Sequence, residues 1–270
     1  MDLYTLPNIT EPQPTASFLS LPSILFFISL TVFLVGLVHW CIQDYRLFKA
    51  LGPGGPPYNV FGWIKVSIII RPFTLADHET TRTEDYPDAG AHEEILALPE
   101  RKGERPVIVG IAPQRQFSQC PGPEMNTRVL SLFSSAVTNN PKLLQKRVSG
   151  VEKHHSALFV HPSLLSKPEN LSDTARISNG ELGHIHGDTS LHLYFSPPDA
   201  RVIIEKGWAQ RHRLARTQPW WFGGGKNWWQ IGETFLLIYA PRNEYEVDVL
   251  RTLIRASARF MTGEEGLVEP

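Results

Sequence analysis

The chain has 270 residues, a formal net charge of −1 at pH 7 and two cysteines. This balanced charge, with no block of Lys or Arg, excludes the electrostatic signature of a nucleic-acid-binding protein, so no nucleic-acid partner is expected. Cys41 and Cys120 are too few for a disulfide framework, which is typical of a chain that folds in a reducing compartment. The length is sufficient for one domain with a substantial core.

The N-terminal stretch from Phe18 to Cys41 contains no charged side chain. Roughly 20 apolar residues in a helix cross a bilayer, because the helix satisfies its own backbone hydrogen bonds through the hydrocarbon core. A cleaved signal peptide fits less well, because it has a basic start and an apolar run of about 7–15 residues. Here Asp2 and Glu11 precede a longer run. The sequence therefore predicts a single-pass transmembrane anchor over residues 18–42.

The charges beside the predicted anchor indicate its orientation. Arg46 and Lys49 follow it, and no Lys or Arg precedes it. The positive-inside tendency then predicts a lumenal N-terminus and a cytosolic C-terminal domain, and we expect the membrane to be that of the endoplasmic reticulum. In this orientation the sequon at Asn8 is open to glycosylation and the sequon at Asn170 is not.

Four parts are predicted along the chain: an N-terminal extramembrane segment (1–17), the anchor (18–42), a hinge and interfacial segment (43–75) and a globular domain (76–270). The hinge contains the Pro/Gly-rich run from Leu51 to Tyr58. The apolar stretch Asn59 to Phe73 is too short for a second span, so it would lie in the membrane interface or pack on the domain.

Hydrophobic patterns in the globular part predict an α+β fold, a mixed sheet with helices on one side. The predicted strands are Pro106–Phe117, Ser156–His161, Ser190–Phe195 and Thr234–Ala240. The predicted helices are Arg128–Val137, Lys142–Val148, one that begins after Ser196 and ends at Gly207, and one that begins after Asn243 and ends at Gly263.

Three histidines, His184, His186 and His192, lie within a short stretch of the chain. Strand alternation places the first two on one face, and His192 shares that face if the turn between them keeps the register. Such a group could bind zinc or iron, act as general acid, base or substrate ligand, or make structural hydrogen bonds. The pair has no clear Asp, Glu or Cys partner, and Asp188 is the one carboxylate noted nearby. The metal interpretation is therefore the weakest of the three, and we treat all three histidines as candidate catalytic residues without a metal.

Two further groups of polar and aromatic side chains are candidates for substrate binding. The first is Gln114, Arg115 and Gln116 at the end of a predicted strand, where a guanidinium would pair with an enolate or carboxylate. The second is a dense run of an aromatic ring, an amide, a guanidinium and an imidazole: Trp208, Gln210, Arg211 and His212. A solvated strand end and core packing of the indole are the structural alternatives.

Residues 218–230 hold four of the seven tryptophans around three consecutive glycines. Such a segment could be a mobile lid, a membrane-contacting loop or part of the core. The chain has no GxSxG, phosphate-binding glycine loop, CxxC or dinucleotide fingerprint, which argues against hydrolase, nucleotide and redox-cofactor interpretations.

Several short motifs follow one another along the chain, from about Asp44 to its end. They include Leu98-Pro99, Gln114-Arg115-Gln116, His184-x-His186, Leu191-His192-Leu193, Lys206-Gly207-Trp208-x-Gln210-Arg211-His212, Ala240-Pro241-Arg242-Asn243-Glu244 and Phe260-Met261-Thr262. No single motif is specific, but their order and spacing resemble the fungal luciferase family.

The resemblance implies an oxygenase that acts on 3-hydroxyhispidin, a styryl-pyrone, adding O2 and releasing CO2 and light without a metal or flavin. No bound cofactor is then expected, O2 is the co-substrate, and the substrate is a small aromatic or polyketide-derived molecule. His192 or His186 would be the base, and Arg242 would join the substrate-binding residues named above. Two alternatives are a non-luminescent tailoring enzyme of fungal secondary metabolism and a non-catalytic domain that presents metabolites at a membrane.

Overall fold

The structure is a computed structural model that describes residues 20–166, 171–216 and 231–270. The chain divides into two units at the boundary between Asp44 and Tyr45. The predicted extramembrane segment 1–17, the sequons at Asn8 and Asn170, and the Trp/Gly-rich segment 218–230 lie outside the described residues.

Helix α1 (Leu21–Ala50) accounts for most of the first unit and extends into the second. It is 30 residues long, and none of the residues in its most apolar window is buried. By length and composition α1 is a candidate membrane span, as the uncharged run in the sequence predicts.

The second unit begins with an irregular helical segment that packs on the domain through one face. It comprises α2 (Val60–Ile64), a π-helical stretch (Lys65–Ile70) and a 3-10 turn (Arg71–Phe73). Trp63 and Val66 are buried, whereas Phe61 and Ile69 remain exposed. Packing on the domain, one of the two environments considered for this stretch, is therefore observed, and the membrane-interface alternative stays a prediction for the exposed face.

Antiparallel strands form two sheets. The smaller sheet pairs β1 (Ile108–Gly110) with β2 (Gln114–Gln116). The larger sheet has six strands in the order β3-β4-β5-β6-β8-β7. Its strands are β3 (Leu144–Val148), β4 (Ser156–Val160), β5 (Glu181–Ile185), β6 (Leu191–Tyr194), β7 (Ala209–Arg211) and β8 (Phe235–Ile238). Together with the helices, these sheets confirm the predicted α+β fold.

Two long helices cover one face of the large sheet. Helices α4 (Pro123–Asn139) and α8 (Glu244–Thr262) contact each other and neighbouring strands, so they lie on the same side of it. The shorter helical elements are a 3-10 turn (Asp77–Glu79), α3 (Glu93–Leu96), α5 (Pro162–Leu165), α6 (Asp173–Ile177) and α7 (Pro197–Glu205).

The predicted helix boundaries are confirmed at α7 and α8. The Ser196 hydroxyl accepts a hydrogen bond from Asp199 N at 3.3 Å, and the Asn243 side chain accepts one from Glu246 N at 3.0 Å. Gly263 ends α8 in the left-handed conformation, with φ 73°. Helix α8 buries residues that share one face: Val247, Leu250, Ile254, Ser257 and Met261.

Two sequence predictions of secondary structure were wrong. Lys142–Val148 was predicted to be helical, but most of it forms β3, because Leu144 to Val148 pair with β4 along their whole length. Pro106–Phe117 was predicted to be one strand, but it folds into the β1–β2 hairpin. The chain reverses beyond Gly110, whose φ is 88° and where a Cβ would lie 2.3 Å from the Pro113 carbonyl oxygen.

Candidate functional site

Antiparallel pairing of β5 and β6 brings the three histidines together. His184 lies directly opposite His192 in the register, and His186 N donates a hydrogen bond to the Ser190 carbonyl at 2.9 Å. The turn is closed by Thr189, with φ 73°. The register therefore survives the turn, and the three imidazoles share one face of the sheet.

The three imidazoles form a compact buried cluster, hereafter the histidine cluster. Ring centroids are 5.1 Å apart for His184–His186, 5.3 Å for His184–His192 and 4.7 Å for His186–His192. One ring nitrogen from each residue lies within 4.8 Å of the other two, and no side chain is more than 2% exposed. The rings are close enough to act on one small ligand.

A separate acceptor holds the Nδ1 atom of each ring. His184 Nδ1 is 2.9 Å from Glu181 Oε1, and His192 Nδ1 is 3.3 Å from the Leu236 carbonyl oxygen. His186 Nδ1 is 2.9 Å from Ser190 Oγ. These contacts fix the ring orientations and turn every Nε2 atom away from its support.

The support of His184 is itself an ionised, hydrogen-bonded carboxylate. Glu181 accepts hydrogen bonds from Ser149 Oγ at 2.6 Å and Gly150 N at 2.8 Å. Burial alone would raise the pKa of Glu181, but the hydrogen bonds from His184, Ser149 and Gly150 lower it below its usual value.

Burial favours the neutral form of His186, His192 and His212. It is the main cause that lowers the pKa of His186 and of His192 well below the ordinary value, and neighbouring histidines and Arg115 add to it. Burial likewise lowers the pKa of His212 to about 3, and the His212 ring centroid is 4.8 Å from that of His192. At neutral pH these rings can accept a proton or bind a cation through a free lone pair.

Two hollows adjoin the histidine cluster. A cavity of about 40 Å³ is lined in part by His184, His192, His212, Glu152 and Phe235. A more open groove of about 290 Å³ is lined in part by Arg115, Gln116, His155 and Asp188. The His155 ring centroid is 6.3 Å from that of His186, so this ring connects the groove to the cluster.

The predicted residues on β2 lie beside the cluster, but their polar groups are largely engaged. Arg115 donates to both oxygens of Glu152, at 3.1 and 2.6 Å, and to the carbonyl oxygens of Gln114 and Pro53. The Gln116 amide holds the backbone around Ser118 and Ala240. The buried Gln114 amide has no hydrogen-bond partner in the part of the chain that the structure describes.

Four other predicted residues make contacts away from both hollows. Trp208 Nε1 donates to the Pro99 carbonyl oxygen at 2.7 Å, and Gln210 bonds Tyr239 and Thr80. Arg211 bonds Asp85 and the Ala215 carbonyl oxygen, and Arg242 binds Glu246. Neither hollow is lined by any of these four residues.

Sequence reasoning missed two carboxylates of the site, Glu181 and Glu152. Glu181 supports His184, and Glu152 Oε1 lies 4.0 Å from His184 Nε2. Asp188, the carboxylate that the sequence analysis noted, is 4.0 Å from His186 Nδ1 and acts through Ser190 Oγ, from which it accepts a hydrogen bond at 2.6 Å. The short sequence distance from Glu181 to His184 was the available signal.

Comparison with known proteins places the site in a family. The model of the Luciferase domain matches residues 179–257, which contain the histidine cluster and His212. The luciferases of Armillaria gallica and Armillaria mellea are each 31% identical over 235 residues, 82% of either chain. The luciferase of Neonothopanus nambi is 33% identical over 230 residues, 82% of this chain and 81% of the relative. No solved structure gives a significant match. The chain belongs to the fungal luciferase family.

Proposed function

We propose that this protein is a membrane-anchored oxygenase that adds O2 to an enolisable pyrone of the 3-hydroxyhispidin type, with loss of CO2. The observation that carries the proposal is the convergence of three buried histidines beside a cavity, in a chain that is 31–33% identical to luciferases.

The chemistry requires a proton acceptor and a dry site. An electron-rich enolate can pass an electron to O2 directly, so the protein must deprotonate the substrate, orient it and exclude water. His192 and Glu152 both line the small cavity, and their Nε2 atom and carboxylate are the proposed proton acceptors. Both belong to residues that are at least nine-tenths buried, which keeps water away from the reacting carbon.

His212 supplies a hydrogen-bond donor to the same cavity. Leu214 N donates to His212 Nδ1 at 3.0 Å, so the neutral ring carries its proton on Nε2. A donor held in place before the reaction stabilises the charge that develops on an enolate or peroxide oxygen. His212 is therefore proposed as a substrate-binding residue.

The larger groove is the proposed seat of the substrate. A volume of about 290 Å³ is close to the lower limit for drug-sized ligands. His155 would place the reacting edge of the pyrone toward the histidine cluster, while Arg115 holds Glu152 in position.

Membrane anchoring by α1 is part of the proposal. The helix exposes large apolar side chains along its length, including Phe26, Phe33 and Val35, which water would not tolerate as a continuous patch. We place the domain on the cytosolic face of the endoplasmic reticulum, where a poorly soluble aromatic substrate would concentrate at the membrane surface.

Oxygen consumption tests the proposed reaction. Microsomes that carry the full chain should consume O2 when given 3-hydroxyhispidin or a related pyrone, with light recorded in parallel. His192→Gln should lower the rate by about 100-fold or more, because it removes a group at the reacting centre. His78→Gln is the control, because His78 is an exposed histidine in the 3-10 turn Asp77–Glu79.

The outcomes separate the alternatives. O2 uptake without light would identify a non-luminescent tailoring enzyme. Pyrone binding without O2 uptake would overturn the oxygenase proposal in favour of a metabolite-binding domain. Equal rates for wild type and His192→Gln would remove the histidine cluster from the reaction.

A further inference from the structure

The Nε2 atoms of His184, His186 and His192 are buried, and none has a hydrogen-bond partner among the residues that the structure describes. Buried polar atoms are nearly always paired, and an unpaired one costs about 1–3 kcal/mol. Three such atoms in one cluster call for a common explanation.

The protonation of each ring follows from what its Nδ1 atom faces. A carboxylate and a backbone carbonyl can only accept, so His184 Nδ1 donates to Glu181 and His192 Nδ1 donates to Leu236. The neutral form of each ring, which is the form that ligates a metal, then has its single N–H on Nδ1 and offers the lone pair of Nε2.

Two linked hydrogen bonds determine which nitrogen of the third ring, His186, carries the proton. Asp188 Oδ1 accepts the Ser190 hydroxyl at 2.6 Å, which uses the only proton of that hydroxyl. Ser190 Oγ must then accept from His186 Nδ1, 2.9 Å away. His186 Nε2 is left with a lone pair like the other two, so the cluster contains three acceptors and no donor of its own.

We propose that the histidine cluster is a binding site for one divalent first-row transition-metal ion, held by the Nε2 atoms of His184, His186 and His192. A cation satisfies three converging lone pairs at once, whereas a water molecule has only two protons to donate. Neutral imidazoles suit zinc, iron, copper, cobalt and nickel, and are poor ligands for magnesium or calcium.

An ion could be held once the rings move together. Nitrogen atoms bound at about 2.0–2.1 Å in a tetrahedral site lie about 3.3–3.4 Å apart. One ring nitrogen of each residue lies within 4.8 Å of the other two, so the widest pair would close by at most about 1.4 Å. The hydrogen bonds from Nδ1 are the kind of support that orients imidazole ligands around a metal.

The open side of the ion would face the small cavity. His184 and His192 line that cavity together with Glu152 and His212. Glu152 Oε1, 4.0 Å from His184 Nε2, is the carboxylate placed to join the ligands or to take a proton from a bound substrate. His212 is not a ligand in this arrangement, because its Nε2 carries the proton. A bound ion would act as a Lewis acid toward an enolate oxygen.

Turnover without a bound cofactor is what the family resemblance implies, and the three lone pairs argue against it for this chain. The binding site rests on the geometry alone, and only its part in turnover rests on the proposed function.

Cobalt(II) binding tests the site. Full-length protein in detergent, with any affinity tag removed, is dialysed against a chelator and titrated with Co(II). We expect a single ion per chain, with the intense visible bands of a four- or five-coordinate complex. His192→Gln should abolish these bands, and Ser190→Ala, which keeps all three ligands but removes the support of His186, should weaken binding about 10–100-fold. His212→Gln is the matched control, a buried neighbouring imidazole that should leave the stoichiometry unchanged.

Three results would overturn the metal site: no Co(II) bound, a spectrum typical of the hydrated ion, or equal binding by His192→Gln. If His192→Gln fails to fold, the Ser190→Ala titration and the thermal shift of wild type with Co(II) decide the question.

Oxygen uptake measured on the same samples separates this inference from the proposed function. Co(II) binding without turnover of any pyrone would leave the site standing and remove the reaction. Full turnover by chelated protein with no bound metal would support the reaction and remove the ion from it, while the Co(II) titration still decides the binding site.

Discussion

At the scale of single residues, the protein compensates each large buried charge with fixed partners. Arg211 is fully buried, donates to Asp85 Oδ2 at 2.7 Å and to the Ala215 carbonyl oxygen at 2.9 Å, and lies over the Tyr86 ring. Arg115 is similarly held by Glu152. These contacts explain why two guanidiniums that the sequence marked as anion binders are engaged by the protein itself.

We predict that Asp85→Asn lowers the free energy of unfolding by about 1–2 kcal/mol. The change leaves the buried Arg211 without its counter-charge, and the figure is well below that for a fully buried pair because the Asp85 side chain is 32% exposed. Denaturant unfolding at neutral pH in detergent measures the difference. Asp88→Asn, at an exposed aspartate of the same loop, should change stability by less than about 0.5 kcal/mol.

The difference in stability between wild type and Asp85→Asn should depend on pH, and the direction of the pKa shift of Asp85 determines how. The hydrogen bond from Arg211 is the main cause that lowers the pKa of Asp85 in the folded protein. A lowered folded pKa stabilises the protein above the unfolded value, about 3.9, and this contribution is lost as the pH falls through the folded value. The stability of wild type should therefore approach that of Asp85→Asn below about pH 4. A constant difference down to pH 3 would show that the ion pair is not the cause.

Among the strands, a bulge in β5 positions Glu181, the residue that holds His184 of the histidine cluster. The pairing of β4 with β5 shifts register between Leu158 and Phe159, so that Phe159 faces Glu181 while Leu158 faces Gly183. Simple alternation would put Glu181 and His184 on opposite faces, but the extra residue returns Glu181 to the face of His184. The bulge thus builds the Glu181–His184 pair.

Gly183 makes the close approach of β5 and β6 possible. A Cβ at this position would lie 1.8 Å from the His192 carbonyl oxygen, a backbone atom of the paired strand. We predict that Gly183→Ala displaces β6 at His192 and lowers the free energy of unfolding by about 3 kcal/mol, at the upper end for overpacking. Oxygen uptake should fall together with stability. Gly266→Ala is the control, since a Cβ there meets nothing within 4 Å. Wild-type stability and oxygen uptake in Gly183→Ala would contradict this account of the strand pair.

At the scale of the whole molecule, the charge asymmetry around α1 predicts the topology. Arg46 and Lys49 would hold the flank after the span in the cytosol, while the residues before it carry only acidic charges. Protease added to sealed microsomes should therefore remove the domain after Asp44, and a glycan, where present, should be on Asn8 and not on Asn170. Survival of the domain without detergent would reverse the orientation and place the histidine cluster in the lumen.

Local rules in the sequence determined the candidate span, the caps at Ser196 and Asn243, the glycine at the end of α8, and the shared face of His184 and His186. Each depends on residues within a few positions of one another, through hydropathy, capping hydrogen bonds or strand alternation. The tertiary structure decided the rest. Leu144 to Val148 became a strand because β4 pairs with it, and Glu181 reached His184 because β5 contains a bulge where it pairs with β4. Glu181, Ser190 and the distant Leu236 carbonyl hold the Nδ1 atoms of the three histidines, which leaves their Nε2 atoms unpaired among the described residues. The last of these contacts forms only when β8 joins β6.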